Sequence, residues 1–319
     1  MSNNILGIDV SKKTLDVALM FAAKVLTKKF DNSPKGFKLL NAWLRSLHIP
    51  QVHACLEATG SYGDAVASYL HEAGHVVSIV NPFRIKGYAA AKLNRNKTDK
   101  ADARLIADFC RTQNPDQWFP PKPQVAELQA LTRRIEMLEE MLQMEKNRLD
   151  VAPAKTKPSI KRIIKTFEKE IDNLRANIKE HINQNSDLKQ QDTLLQTIPG
   201  IGEKTSHVLL AEIDFSHYDS ARKIAAYAGV SPRKHNSGTS LNKTYLSKQG
   251  NGRIRKALYF PAIVATRYNN IISLFASRLE KNGKTPMQIV CASMRKLLHI
   301  AFGVLKNKSP FDPSLAFQC

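Results

Sequence analysis

The chain has no Cys-x-x-Cys pair. Its four cysteines, Cys55, Cys110, Cys291 and Cys319, are scattered, which excludes zinc-knuckle and thioredoxin-like readings and fits reduced, structural thiols. No uninterrupted apolar run approaches membrane-spanning length, and "MSNNILGIDV" lacks the apolar core and cleavage site of a secretory signal. These absences set the expectation of a cytoplasmic protein with no membrane partner. Acidic residues are also scarce: 28 against 48 Lys and Arg leave a net charge of +20. An excess of that size attracts polyanions, nucleic acid first. What is present supports a folded chain. Apolar residues make up 43% of 319, enough for two domains and a spacer.

Three segments differ in character. Residues 1–115 alternate strand and helix signals: three adjacent strands over "ILGIDVS", "TLDVALMF" and "KVLTKKFDNS", then helix and strand in turn. That order predicts a mixed sheet with helices on its faces. In residues 116–190, Leu128, Leu131, Ile135, Leu138 and Leu142 step by three and four, and so do Ile164, Phe167, Ile171, Leu174 and Ile178. Around the proline-containing link "DVAPAKTKPSI" this predicts either an antiparallel coiled-coil hairpin or two ordinary amphipathic helices. Its 14 basic and 12 acidic residues nearly cancel, so it reads as a spacer or arm. Residues 191–319 carry 18 basic against 7 acidic residues, with no acidic residue between Asp219 and Glu280. Without local carboxylates to screen it, this tract is expected to present a strong positive field, with Arg233, Lys234, Arg253, Arg255 and Lys256 on phosphates. "TIPGIGEKTSHVLLAEI" reads as a helix-hairpin-helix-like turn, with Gly200, Gly202 and Lys204 facing a phosphate, or as a plain tight turn.

Four carboxylates from separate positions carry the chemistry. Asp9 sits among apolar residues of a strand, and Glu57 ends another just before a glycine turn. Asp99 and Asp102 open a helix three residues apart and so share a face. A charge in an apolar strand is costly unless paired or metal-bound. If the four converge, hard oxygen ligands suit Mg²⁺ or Mn²⁺, the usual aid to phosphodiester displacement. Each has a bland alternative: a strand-end turn for Asp9, a lysine partner for Glu57, an N-cap for Asp99. Asp16, Asp64 and Glu72 fit the set less well, as hairpin-strand or helix-surface charges. "GIDVS" also fits the phosphate turn of sugar-kinase and actin-like ATPases, but the second phosphate loop and glycine-rich adenosine site those require are missing.

The motifs "GIDVSKKTLDVAL", "CLEATGSYGDAVASYL", "NKTDKADARLIADF", "TIPGIGEKTSHVLLAEI" and "YAGVSPRKHNSGTSLNKTYLSKQGNGRIRKALY" run in order along nearly the whole chain. Together they resemble the DEDD insertion-sequence transposases, a family that includes bridge-RNA-guided recombinases and Piv-type DNA invertases. The resemblance implies an α/β RNase H-like (RuvC-like) N-terminal domain over 1–115. It implies a coiled-coil hairpin over 116–190 and a mostly α C-terminal transposase domain over 191–319. It maps the Asp-Glu-Asp-Asp set to Asp9, Glu57, Asp99 and Asp102, with Mg²⁺ or Mn²⁺ as cofactor, and the serine nucleophile to Ser237. Asn236 stands where the family often has another serine, and Ser240 is a lesser candidate. The loop "PRKHNSGTS" adds Arg233 and Lys234 as phosphate contacts and His235 as base, phosphate ligand or bystander. The implied partners are double-stranded DNA, a non-coding bridge RNA and further copies of the chain, as dimer or tetramer, in the bacterial cytoplasm on the nucleoid. The alternatives are an invertase without guide RNA, a RuvC-like nuclease that uses water, and a non-catalytic nucleic-acid scaffold.

Overall fold

The structure, a computed structural model, describes residues 4–22, 24–58, 60–92, 99–237 and 241–314; the side chains of 61, 99, 100, 234–237 and 241–244 are outside the description. The chain forms two compact units, Met1–Pro120 and Pro121–Cys319.

The first unit begins with β1 (Ile5–Val10), β2 (Thr14–Phe21) and β3 (Lys24–Asp31), an antiparallel meander. Then come α1 (Pro34–Ser46), β4 (His53–Glu57), α2 (Asp64–Glu72), β5 (Val76–Val80), α3 (Pro82–Ala91) and α4 (Asp99–Gln113). The sheet order is β3-β2-β1-β4-β5, with β4 parallel to both neighbours. This is the mixed sheet that the strand signals predict. Side-chain alternation divides its faces. Leu6, Ile8, Leu15, Val17 and Leu56 pack under α1 and α2. Ile5, Ala18 and Cys55 pack on the other face with Ile106, Phe109 and Cys110 of α4. Gly7 lets α4 come unusually close: a Cβ there would stand 2.2 Å from the Ala103 carbonyl oxygen and 2.4 Å from the Ala107 nitrogen. The sequence reading has no counterpart for α3. Its start signals are present, Asn81 capping Phe83 with Pro82 at the first position, but it buries only Ile85 and so has little periodicity to read.

The second unit opens with two long helices, α5 (Pro123–Val151) and α6 (Lys157–Gln184). They run antiparallel: Lys146 pairs with Glu168 at 2.9 Å near the link, and His181 meets the Gln124 carbonyl at 2.8 Å at the far end. Next are α7 (Ser186–Gln196), α8 (Glu203–Glu212), α9 (Ala221–Tyr227), β6 (Pro232–Ser237), β7 (Leu241–Leu246), α10 (Gly252–Tyr268), α11 (Asn270–Lys281) and α12 (Pro286–Asn307). The heptad residues Leu128, Ile135, Leu138, Ile171 and Ile178 are buried as periodicity requires, but in the same core as Leu209, Leu258 and Leu298. The arm therefore belongs to the body of this unit instead of standing apart as a spacer. Helix α12 alone among the described helices is long and apolar enough by composition to cross a membrane, a test that buried core helices also pass. It escapes notice as an apolar run because Arg295 and Lys296 interrupt it, and its Met294, Leu297, Leu298 and Ala301 face is packed in the core.

Candidate active site

The acidic residues are placed by sheet register. Ile8 and Leu56 are the last partners of the parallel β1–β4 pair, so Asp9 and Glu57 follow side by side at the C-terminal ends of neighbouring strands, about 4.8 Å apart in the pairing direction. Both share parity with residues that face α4, Asp9 with Gly7 and Glu57 with Cys55. Asp102, half-buried, lies in the first turn of α4, one residue before the Ala103 carbonyl that abuts Gly7. The close backbone approach at Gly7 thus holds the source of Asp102 against the strand that carries Asp9. Asp99 opens α4, and its side chain lies outside the described residues. Among the described residues no three His, Cys, Asp or Glu side chains stand close enough to hold one ion. The described donors are nonetheless hard carboxylate oxygens on one face at parallel strand ends, a chemistry that fits Mg²⁺ or Mn²⁺.

Two further residues bear on this face: Asp16, which the sequence sets aside as a hairpin-strand charge, and Asn32, which it does not single out. Asp16 is the direct partner of Asp9 across the antiparallel pair, so Asp16, Asp9 and Glu57 form a row over β2, β1 and β4. It is only 5% exposed, and Lys29 of β3 neutralises it at 2.9 Å. The hairpin alternation was readable, but the pairing partner was not. Asn32 is the second. Its Nδ2 donates to the Ser11 carbonyl at 2.9 Å and to the Tyr62 carbonyl at 3.0 Å, tying together the turns that follow Asp9 and Glu57. On the other side, Asp108 of α4 receives Tyr88 at 2.8 Å and Arg111 at 2.6 Å, and also Lys92. Burial pushes its carboxyl up, but Lys92, Arg111 and Tyr88 outweigh that and hold it at about 2. This cluster braces α3 against α4.

In the second unit, the segment read as a loop is a hairpin. Pro232 pairs with Leu246 at its base, and Ser237, the last residue of β6, pairs with Leu241 at the far end. Arg233 is exposed; the side chains of Lys234, His235, Asn236 and Ser237 lie outside the described residues, as does Ser240 altogether. The turn at "PGIG" divides its glycines. Gly200, at φ 105°, is pressed against α10, where a Cβ would lie 2.8 Å from the Ala265 Cβ. The fully buried Asn269 fixes this turn by donating to the Pro199 carbonyl at 3.2 Å. Gly202 is the exposed N-cap of α8, with open space before it.

The expectation of an unscreened basic tract does not hold at several of its members. Lys204 pairs with Glu139 at 2.6 Å, Arg253 with Glu136 at 2.9 Å, and Lys256 with Glu140 at 2.9 Å. All three glutamates come from α5, far away in sequence. Arg255 points inward and donates to the Ala228 and Gly250 carbonyls at 3.0 and 3.1 Å, holding the loop before α10. Nearby, the buried Glu212 binds Arg133 at 3.0 Å and the Nδ2 of Asn251, the α10 N-cap, at 2.7 Å.

Both units match transposase families. A DEDD transposase model of the IS110 type matches residues 6–152, and a model of the IS116/IS110/IS902 transposase family matches residues 192–277. The pilin gene-inverting protein of Moraxella bovis is 36% identical over 318 residues, 98% of each chain. The chain belongs to the IS110 transposase family. It is thereby an enzyme that cleaves and rejoins DNA. The Moraxella lacunata pilin gene-inverting protein matches it equally, at 36% over 318 residues and 98% of each chain. The transposase of insertion sequence IS1328 from Yersinia enterocolitica is 23% identical over 299 residues, 81% of this chain and 86% of that one. The first family match covers Asp9, Glu57, Asp99 and Asp102, and the second covers Ser237. Helix α12 lies beyond both.

Proposed function

We propose that this IS110-family enzyme is a site-specific DNA recombinase in which Ser237 attacks a DNA phosphodiester with help from the acidic face of the first unit. The observation that carries the reading is the side-by-side placement of Asp9 and Glu57 on the α4 face, with Asp102 held over it. Asp9, Glu57, Asp99 and Asp102 would hold Mg²⁺ or Mn²⁺, which when bound neutralises charge at the phosphate and assists the oxygens that enter and leave. Ser237 supplies the nucleophile. Its Oγ–P bond forms as one sugar O–P bond breaks; the hydroxyl proton goes to a base, and the departing sugar oxygen takes up a proton. The number of phosphoester bonds is conserved, so rejoining needs no ATP. Lys234, His235 and Arg233 contact the phosphates beside that serine. The same reading assigns three functional segments, 1–115, 116–190 and 191–319, the middle one packed into the core of the second unit, with a cytoplasmic, nucleoid-bound location and double-stranded DNA as substrate.

End-to-end likeness to two pilin gene-inverting proteins favours inversion of a resident DNA segment over RNA-guided transposition as the arrangement of ends. The guide-RNA reading predicts that recombination requires a structured RNA encoded beside the gene. Homo-oligomerisation is supported by a stripe on α5, where Met137, Met141 and Met144 are 50%, 37% and 50% exposed at helical spacing.

The test is covalent trapping. Denatured wild-type protein should carry DNA on the peptide containing Ser237, and Ser237→Ala should remove both adduct and recombination while DNA still binds. Cleavage without any adduct would move the enzyme to water-dependent nuclease chemistry.

A further inference from the structure

A cavity of about 580 Å³ opens in the second unit between α9, α11, α12 and the base of the β6–β7 hairpin. One wall is a single face of α12, with Gln288, Cys291, Ala292, Arg295 and His299 at three- and four-residue steps. The facing wall is apolar and aromatic: Phe275 and Leu279 from α11, Tyr245 and Leu246 from β7. Its volume falls within the usual range for small-ligand sites, roughly 300–1,000 Å³.

Its charge is one-sided. Arg222, Lys284, Arg295 and Lys296 line it, and among the described residues no acidic one does. None of the four makes an ion pair among the described residues, whereas Lys204, Arg253 and Lys256 on the α5 side all do. His299 adds a buried Nε2 with no hydrogen-bond partner. Burial lowers its proton affinity, and Arg295, Lys296 and Arg222 lower it further. Cations gathered without counter-charge repel one another, and a buried polar nitrogen without a partner is costly. An anion relieves the first and an acceptor or donor group on it relieves the second. The apolar wall with an exposed tyrosine, Tyr245 at 54%, asks in addition for a flat ring. One class of ligand has both: a nucleotide.

We propose that this cavity takes one unstacked nucleotide of the DNA being cut. Its base lies against the Phe275 and Tyr245 wall, and its phosphates lie on Arg222, Arg295 and Lys296. The inference rests on the reading of the chain as a DNA recombinase but not on the identity of its nucleophile. The hairpin sets the distance. Pro232 and Leu246 are paired at the cavity, and Ser237 closes the far end of β6, roughly 17 Å away at about 3.3 Å per residue. A nucleotide held here would anchor the strand at a fixed remove from the hairpin tip.

Cys291, which lines the cavity and is half-buried, is a built-in reporter. The experiment uses the full wild-type chain in chelator, so that cleavage plays no part, and reads Cys291 alkylation by peptide mass. A short single-stranded oligodeoxynucleotide at about ten times its Kd should slow alkylation about tenfold. An oligomer with the same number of phosphates but no bases should slow it no more than about twofold at that concentration, having lost the worth of one stacked base. Equal protection by the abasic oligomer would reduce the cavity to a phosphate patch and overturn the proposal. Protection by RNA of the same sequence but not by DNA would overturn the assignment to DNA, and no protection by any of the three would overturn the site itself. A second readout uses affinity. Ala292→Trp fills the cavity without changing charge and should weaken oligonucleotide binding about tenfold with an unchanged salt slope. Arg295→Gln with Lys296→Gln should lower that slope by about 1.4, at roughly 0.7 for each single-strand phosphate contact. An Ala292→Trp chain that folds normally and binds as wild type would overturn the proposal. Because nothing here depends on adduct or cleavage, failure of the Ser237 trapping experiment leaves the outcome readable.

Discussion

The acidic face of the first unit and the basic surface of the second are built by different means. In the first, charge position follows from strand register: Asp16, Asp9 and Glu57 are neighbours because β2, β1 and β4 are neighbours. In the second, charge is distributed by helix packing between distant segments. Glu136, Glu139 and Glu140 of α5 neutralise Arg253, Lys204 and Lys256, while the cations around Arg295 have no ion-pair partner among the described residues. A cation count along the chain therefore measures the total field and says little about where a phosphate is gripped. That position is set by which cations the fold leaves unpaired.

The largest effect should come from the sheet. Asp9→Asn should end strand cleavage while DNA affinity in gel shift stays near wild type; cleavage at the normal rate would remove the acidic face from the chemistry. Next is the support beneath it. Gly7→Ala forces a methyl to 2.2 Å from the Ala103 carbonyl. Overpacking of this kind typically costs about 1–3 kcal/mol. Thermal unfolding should shift by several degrees, and cleavage should fall further than the lost folded fraction explains, because α4 carries Asp102. Unchanged stability would mean that the helix yields without strain.

The basic surface offers a direct contrast. Arg222→Gln with Arg295→Gln should flatten the salt dependence of DNA binding by about two units at roughly 0.9 per duplex phosphate contact. Arg253→Gln with Lys256→Gln should flatten it by less than half of that, since their glutamate partners must first be displaced. Equal slopes for the two pairs would erase the distinction between paired and unpaired cations. The smallest effect concerns pH. Asp108 is held at about 2 in the folded chain, below an ordinary carboxyl. The stability it contributes is therefore fully present above about pH 4, the usual unfolded value, and is lost as pH falls through about 2. Asp108→Asn should lower the melting temperature at neutral pH and make it less sensitive to acid over that window. An identical acid profile would place the sensitivity in other carboxylates.

Much of the first unit was legible because its signals are local. Short apolar runs mark β1, β2 and β4, and Pro34 with Ser33 starts α1. Asp9 and Glu57 stood out as charges in apolar strands. Asp16 did not, since its significance lies in the residue opposite, and neither did Asn32, whose work is done on two carbonyls of distant turns. In the second unit the heptads of α5 and α6 were legible as a buried face. Their partners were not: nothing in "LEEML" says that its glutamates meet Lys204 and Lys256. The hairpin around Ser237 passed for a loop because its strands are polar, without the apolar alternation that announces a half-buried strand.

The packing of α5 bears on how the chain can be divided. A fragment begun at residue 191 would carry the serine hairpin and α12 but would strip the core around Leu209 and Leu210 of the α5 and α6 residues that complete it, Leu128, Ile135, Ile171 and Ile178 among them. It would also leave Glu212 without Arg133, a buried carboxylate with half of its partners gone. For the same reason, a chimera that exchanges the helical arm between relatives must carry over the glutamates of α5 together with the lysines and arginines they face, or it will join two surfaces whose charges no longer cancel. The natural unit of exchange starts near Pro121, ahead of the arm.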